Sequence, residues 1–323
     1  MSESLINQTL EFSHSEFIML SFPGVVKHRY LLFIPFLHVY LMILVCNFPI
    51  IYRIWVEPSL HTPMYSLIFC ILVVSVFYDT AIIPKMLVSF LGLDTISRTV
   101  CLMQMFTVYS GLLAESLILL LMAFDRYVAI CKPLHYHTIM NKHLLVLSII
   151  GCIRNCSFAC LIVILDSQIH FCQSNIILHF HCESPMLHNL ACGDISTIQN
   201  VGLLVRTVLT VCDISIISLS YLTILKVAMK TAAGGARHKA LHTCSTHLFV
   251  VILLYMLGMI SAVLYQPATS VPYDMQNMAN SVSLFLPAIV NPIIYGFRMK
   301  EVRAGLLSQR RGTRFDNRLF NSN

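Results

Sequence analysis

The stretch that decides the fold is residues 122–136, which reads MAFDRYVAICKPLHY. It closes a long apolar run and ends that run with an acid, a cation and a phenol, Asp125, Arg126 and Tyr127. Arginine keeps its charge at any relevant pH, so this guanidinium belongs where a membrane helix meets water, with Asp125 as its partner. The three residues alone would also fit an ordinary helix end, whereas the fifteen residues together carry more information.

The composition indicates a membrane protein. Of the 323 residues, 57% are hydrophobic and 11% are charged, whereas a soluble domain has about 25% charged residues. A search for apolar windows of about 20 residues finds seven, at 30–52, 64–91, 100–124, 144–165, 201–225, 248–265 and 279–297. We therefore predict an all-α membrane protein, a seven-transmembrane helix bundle. The sequence has no glycine-rich phosphate loop and no HExxH motif, so neither an enzyme nor a cofactor is predicted.

The positive charges predict the orientation of the chain. Most of its 21 lysines and arginines flank the spans on the side that is cytoplasmic if the N-terminus is outside. The predicted domains are an extracellular tail (1–28), the seven-span domain (29–297), and an interfacial helix with a cytoplasmic tail (298–323), in a multi-pass plasma-membrane protein. The net charge of +6 follows from this topology, so we expect membrane lipids and no nucleic acid as partners. Asn7 is a predicted external glycosylation site.

Several motifs resemble those of one family. Residues 122–136 are similar to the inner end of the third helix in odorant (olfactory) receptors, which are rhodopsin-like (class A) G-protein-coupled receptors. Residues 60–65 (LHTPMY), 237–248 (RHKALHTCSTHL) and 291–295 (NPIIY) also resemble motifs of that family. The resemblance covers about residues 35–302 and implies a receptor that binds a small odorant and activates a heterotrimeric G protein. Two alternatives are a rhodopsin-like receptor for a non-odorant small molecule, lipid or peptide, and a secondary transporter, whose internal repeats are not found in the sequence.

The resemblance also implies where the odorant binds. It enters between the third, fifth and sixth helices, beneath the loop that joins the fourth and fifth. The third-helix residues follow helical spacing. A stripe of this kind more often belongs to protein core than to a binding site, and here it can serve as both. Small residues on the face of Tyr255 leave room for a ligand. The implied ligand-binding residues are Met105, Val108, Tyr109, Leu112, Leu113, Arg206, Leu209, Tyr255, Gly258 and Ala262.

Two arginines lie inside predicted spans, where an ionised group is expensive and points to function. Arg206, in the fifth span, could pair with a carboxylate on the ligand. It could equally form a structural tie to Asp213, seven residues later on a similar face, or to carbonyls of the outer loop, and the sequence leaves both readings open. Arg154, midway along the fourth span, poses the same question.

The resemblance implies that the residues of the activation switch lie at the end of the bundle opposite the odorant site. Ligand binding would move Arg126 from Asp125 toward two tyrosines and open a cavity for the C-terminal helix of a Gs-type (olfactory) G protein, which raises cAMP. Pro292 removes one backbone donor from the seventh helix, and Asn291 can satisfy the groups that this frees. The implied switch and coupling residues are Asp125, Arg126, Tyr127, Tyr221, Arg237, Lys239, Asn291, Pro292 and Tyr295.

Four cysteines, Cys101, Cys172, Cys182 and Cys192, fall on the predicted outer side, and the oxidising secretory route favours two disulfides. Spacing alone permits three pairings. The resemblance implies Cys101–Cys182 and Cys172–Cys192. The cysteines of this histidine-rich loop lack the compact spacing of a zinc site, so no metal is predicted there.

The resemblance bears on sodium binding as well. Rhodopsin-like receptors hold a sodium ion with an aspartate midway along the second helix, and this chain has Ser75 there, with Asp79 one turn farther out. Glu115 on the third helix matches an acid of odorant receptors. With one carboxylate fewer, we expect a weakened or absent sodium site. Glu115 would then be protonated or hydrogen-bonded within the bundle.

Overall fold

The computed structural model describes residues 14–231, 235–264 and 271–298. In these ranges it has seven long helices, each with a stretch long and apolar enough to cross a membrane. They are α1 (Phe33–Val56), α2 (Pro63–Phe90), α3 (Arg98–Cys131), α4 (Tyr136–Ser167), α5 (Ser196–Thr231), α6 (Gly235–Leu264) and α7 (Tyr273–Arg298). The predicted fold class and the seven predicted spans are therefore confirmed. Asn7 and residues 299–323 of the predicted interfacial helix and tail lie outside the described residues.

The helix α3 is central to the bundle and packs against α2, α4, α5 and α6. Its 34 residues extend about 51 Å at ~1.5 Å per residue, so it reaches well beyond a hydrocarbon core of ~30 Å. Ser97 caps its first turn, with Oγ accepting from the N–H of Val100 at 3.3 Å. Close packing on α2 requires Gly111, because a Cβ there would lie 2.6 Å from the buried ring of Tyr78.

A polar side chain of α1 compensates for a proline in α7. Pro292 has no N–H, so the carbonyl of Ala288, one turn earlier, loses its helical donor. The Nδ2 of Asn47 donates to that carbonyl at 2.8 Å, and also to the carbonyl of Ile43 at 2.7 Å. The donor that we expected from Asn291 thus comes from α1 instead. The Oδ1 of Asn291 is buried and has no hydrogen bond within the described residues.

A small sheet closes one end of the bundle. Its central strand, β1 (Glu16–Met19), is antiparallel to β2 (Thr95–Ser97) and parallel to β3 (Ile176–Ile177). Phe17 and Met19 of β1 are almost fully buried. We call this sheet together with the loop 168–195 the lid. The segment 1–28, which we predicted to be a tail, therefore provides the central strand of the lid.

Two disulfides and an arginine fasten the lid. Both cysteine pairs are those that the resemblance implies: Cys101–Cys182 joins the lid to the start of α3, and Cys172–Cys192 closes a loop within it. Arg98 donates to two backbone carbonyls at the end of α4, at 2.6 and 3.1 Å. Because all four cysteines are oxidised, they offer no thiolate to a zinc ion.

Candidate ligand pocket and activation switch

The third-helix residues of the predicted pocket divide into two groups. Met105 and Val108 are buried in the core, where Met105 packs beneath the lid and Val108 packs against residues of α1, α2 and α7. Tyr109, Leu112 and Leu113 are only partly buried. A ligand can therefore contact the second group without displacing side chains from a close-packed interior.

Tyr109 connects the pocket with the lid. Its hydroxyl accepts from the N–H of Ser184 at 2.9 Å and lies 3.1 Å from Ser184 Oγ. Ser184 donates in turn to Asp166 at the end of α4, and Asp166 also binds the Nε2 of His188 at 2.9 Å. The short helix Ser184–His188 is thus held by both α3 and α4, and Tyr109 links contacts in the pocket to the position of the lid.

Arg206 lies on the inward face of α5. It precedes the buried Leu209 by three residues and the buried Asp213 by seven, which places the three on one helical face. Arg206 is nevertheless exposed. It has no hydrogen bond or ion pair with the described residues, and its charge acts on the Tyr109 hydroxyl. The structural tie to Asp213, one of the two readings that the sequence left open, is not formed.

Asp213 pairs with Arg154 instead, and the two belong to a chain of hydrogen bonds that links four helices. Arg154 Nη1 on α4 lies 3.2 Å from Asp213 Oδ1 on α5. The hydroxyl of Ser116 on α3 donates to Asp213 Oδ2 and lies 2.8 Å from the hydroxyl of Tyr255 on α6. A serine hydroxyl has one proton, so Tyr255 must donate to Ser116. We call this chain, from Tyr255 through Ser116 and Asp213 to Arg154, the Tyr255 chain.

The predicted pocket residues of α6 are not close-packed. Gly258 lies three residues farther along the same face, and a Cβ built on it would meet no atom within 4 Å. Ala262, one turn later, is half-buried, as is Tyr255 itself. Neither Gly258 nor Ala262 is therefore enclosed by neighbouring side chains on the side of α6 that carries Tyr255.

A second polar cluster lies between α2 and α3. The hydroxyl of Ser75 donates to Glu115, and both residues are almost fully buried. Asp79 is fully buried one turn away, and neither of its carboxylate oxygens has a hydrogen bond within the described residues. Glu115 is thus hydrogen-bonded inside the bundle, with the residue that replaces the usual aspartate as its donor.

At the end of the bundle opposite the lid, which we call the switch end, Asp125 holds Arg126. Asp125 Oδ2 accepts from Arg126 Nε at 2.8 Å and from its Nη2 at 2.5 Å, and Oδ1 accepts from the Tyr136 hydroxyl at 2.6 Å. Asp125 is fully buried, whereas the Arg126 side chain is 21% exposed. This is the pairing that we expected for the resting state.

Four other predicted switch residues lie on α3, α5 and α7. Tyr221 and Tyr295 are buried in one apolar cluster with Met122, whose sulfur lies 3.7 Å from the Tyr295 hydroxyl. Tyr127 is half-buried against the same cluster, and Asn291 is buried on α7. The side chains of the remaining two, Arg237 and Lys239, lie outside the part of the chain that the structure describes.

Seven apolar helices with a disulfide-bonded lid at one end and a paired Asp125–Arg126 at the other are the arrangement expected of a G-protein-coupled receptor. Comparison with known proteins gives the family. The family model described as olfactory receptor matches residues 36–309. Human olfactory receptor 52K1 is 33% identical over 90% of this chain and 94% of its own length, and human olfactory receptor 1L8 is 36% identical over 91% and 95%. Human olfactory receptor 1L3 is 37% identical over 90% of each chain.

The chain belongs to the olfactory receptor family. It is therefore an odorant-sensing G-protein-coupled receptor and a multi-pass plasma-membrane protein, without enzymatic activity. This membership decides against the secondary transporter that the sequence alone left as an alternative.

Proposed function

We propose that the receptor binds a small odorant between α3, α5 and α6, under the lid, and activates a Gs-type (olfactory) G protein that raises cAMP. The observation that supports this most is the closed switch, in which Arg126 stays on Asp125 while the Tyr255 chain ties α6 to three other helices. A ligand beside Tyr255 would disturb that chain and free α6, which carries the coupling residues Arg237 and Lys239. The ligand shifts this equilibrium only by its differential affinity for the two states. The Gs type is supported by resemblance to the family.

The experiment that tests the proposal is a cAMP reporter screen of odorants in cells that supply an olfactory G protein and a trafficking chaperone. We expect at least one odorant to raise cAMP in a concentration-dependent way, and Arg126→Ala to remove the response at equal surface expression. A receptor that reaches the surface and recruits only G proteins of other classes would refute the Gs assignment.

We also propose that the lid end is extracellular and the switch end cytoplasmic, with membrane lipids around the bundle and a glycan on Asn7. The distribution of lysine and arginine supports this orientation. On intact cells, an N-terminal epitope tag should bind antibody, and a C-terminal tag should do so only after permeabilisation. Both tags accessible from the same face would contradict the orientation, and an unchanged mass after glycosidase digestion would contradict the glycan.

Arg206 is the residue of the pocket with the clearest ligand chemistry. We expect Arg206→Ala to weaken the potency of an acidic agonist by roughly tenfold to a hundredfold, because hydrogen bonds to charged groups contribute about 1.5–3 kcal/mol. Arg206→Lys, which keeps the charge, should retain part of the response, and the potency of a neutral agonist should not change. An acidic agonist whose concentration–response curve is the same with Ala at this position would show that Arg206 does not bind it.

Sodium should have little effect on basal signalling. Ser75 occupies the position of an acid and donates to Glu115. A sodium ion bound there would therefore have one carboxylate ligand fewer. The measurement is agonist-independent cAMP in membranes at low and high sodium, with choline replacing sodium at constant ionic strength. A clear sodium-dependent loss of basal signalling that disappears in Glu115→Gln would show that the site is intact.

A further inference from the structure

The lid carries an acid beside the pocket, Glu183, which no part of the activation switch uses. It lies between Cys182, which is bonded to α3, and Ser184, which binds the hydroxyl of Tyr109. The Glu183 side chain is only 13% exposed. Asn280 of α7 donates to its Oε2 at 3.4 Å, and its Oε1 is buried without a hydrogen bond in the described part of the chain.

The nearest basic groups do not neutralise this acid. The Nε2 atoms of His179 and His181 lie 3.6 and 3.8 Å from the Glu183 carboxylate. Burial lowers the pKa of His179, and burial together with the neighbouring His179 lowers the pKa of His181 well below its usual value. A lowered pKa means that both imidazoles are neutral at pH 7. Within the described residues, the negative charge of Glu183 therefore has no cationic partner.

A complementary charge faces the same tyrosine from the wall of the pocket. Arg206 is exposed on the face of α5 that carries Leu209 and Asp213, and it has no ion pair with the described residues, so its positive charge is also uncompensated. Both charges act on the Tyr109 hydroxyl, with opposite sign. Glu183 is mostly buried, where a charge is unfavourable unless it is paired, and one ligand with two opposite charges would pair both Glu183 and Arg206.

We propose that the pocket binds a small zwitterion, whose carboxylate pairs with Arg206 and whose ammonium group pairs with Glu183 beside Tyr109. This rests on the proposed function in placing the ligand at Tyr109, and it adds the ligand class and the role of Glu183. Glu183 selects for a cationic group on the ligand, and Arg206 selects for the anionic group. A monocarboxylic acid satisfies only Arg206 and leaves the acid of the lid unpaired, so it binds less tightly than the amino acid of the same length.

The test uses the purified full-length receptor and three series of probes with matched carbon chains. They are the amino acids with a terminal ammonium group from glycine to aminohexanoate, the corresponding monocarboxylic acids, and the corresponding monoamines. Ligand affinity is read from the rise in the thermal unfolding midpoint with ligand concentration, which needs no G protein. We expect one chain length of the amino-acid series to bind at least tenfold more tightly than the acid and the amine that match it.

The charge variants show whether the preference comes from the two named residues. Glu183→Gln should lower the affinity for the tightest-binding amino acid at least tenfold, to that of the matched monocarboxylic acid. The affinity for that monocarboxylic acid should not change. Arg206→Gln should abolish binding of the monocarboxylic acid and weaken binding of the amino acid. Asp194→Asn, at an exposed acid of the same loop, changes the net charge equally and should have no effect. An unliganded unfolding midpoint close to that of the parent receptor shows that each variant is folded.

Three results would overturn the proposal. They are the absence of any amino acid that stabilises the receptor better than its matched acid and amine, an unchanged amino-acid affinity in Glu183→Gln, and an equal loss in Asp194→Asn. The proposed function can fail separately, because zwitterions that stabilise the receptor without raising cAMP would contradict the Gs assignment and leave the ligand class standing. Odorants that raise cAMP in a receptor that zwitterions do not stabilise would contradict the ligand class and support the Gs assignment.

Discussion

Replacing Asp213 with Asn is expected to destabilise the folded receptor by about 3 kcal/mol, the lower end of the cost of breaking a buried ion pair. The reason is the charge that remains. Arg154 lies on α4 in the middle of a span, and 29% of its side chain is exposed. Its counter-ion in the described residues is Asp213, whose side chain is 3% exposed. An amide at position 213 removes the negative charge and leaves a permanent guanidinium at that depth.

The double variant Arg154→Gln/Asp213→Asn separates the charge from the packing. It removes both charges and keeps side chains of similar size, so most of the lost stability should return. The measurement is thermal unfolding of the purified receptor, with surface expression as a second readout. Glu57→Gln is a suitable control, since it breaks the pair of Arg53 and Glu57 at 3.1 Å, whose side chains are 37% and 35% exposed, and the cost should be no more than about 1 kcal/mol. A double variant no more stable than Asp213→Asn would show that the charge is not the cause.

The second large effect is expected at the switch end, where Asp125→Asn should raise agonist-independent signalling at least tenfold. The carboxylate of Asp125 accepts from Arg126 twice and from Tyr136 once. An asparagine has one carbonyl oxygen and no charge, so it holds the guanidinium far less well. The loss of hydrogen bonds to charged groups, about 1.5–3 kcal/mol, corresponds to a shift of roughly tenfold to a hundredfold in the balance between resting and active states.

Basal cAMP normalised to surface expression measures this shift. Tyr136→Phe is the matched control, because it removes one hydrogen bond and keeps the charge of Asp125, and it should raise basal signalling much less. Arg126→Ala should show no signalling even in combination with Asp125→Asn, since the residue that is to be released is then missing. If Asp125→Asn signals at the level of the parent receptor, the aspartate does not restrain the arginine.

The spans and the switch could be predicted because their signals are local. Windows of about 20 apolar residues define helices without reference to the rest of the chain, and the Asp125–Arg126 pair consists of neighbours in sequence. The disulfide pairing needed the resemblance, because spacing alone allowed three pairings. The spans and the Asp125–Arg126 pair are therefore local signals, whereas Cys101 and Cys182 are 81 residues apart and could be paired only through the resemblance.

The Tyr255 chain could not be read in the same way, because its members are far apart in sequence and meet only when four helices pack. Arg154 and Asp213 are 59 residues apart. A signal was nevertheless present, since Arg154 is the one charged residue of the predicted span 144–165 and Asp213 is the one acid of the span 201–225. Matching opposite charges in neighbouring spans would have suggested the pair and would have removed Asp213 as a partner for Arg206.

The compensation of Pro292 was missed for a related reason. The need for a donor is visible in the sequence, and the nearest amide, Asn291, is the obvious choice. The donor is Asn47, 241 residues away from the carbonyl of Ala288, and only the packing of α1 against α7 identifies it. The strand β1 was missed because four residues in a polar segment are too short for a periodic signal.

The strand order of the lid has a consequence for biosynthesis. Ile18 of β1 leaves the ribosome early, yet it pairs with Ile176 of β3, about 160 residues later in the chain. At a synthesis rate of roughly 5–20 residues per second, the two are separated by about 8–30 s. During that interval Phe17 and Met19 have no complete core to enter, and their apolar side chains stay exposed. We therefore expect cellular quality control to recognise the unpaired strand β1. Export of the receptor should begin only after β3 has been synthesised and has paired with β1.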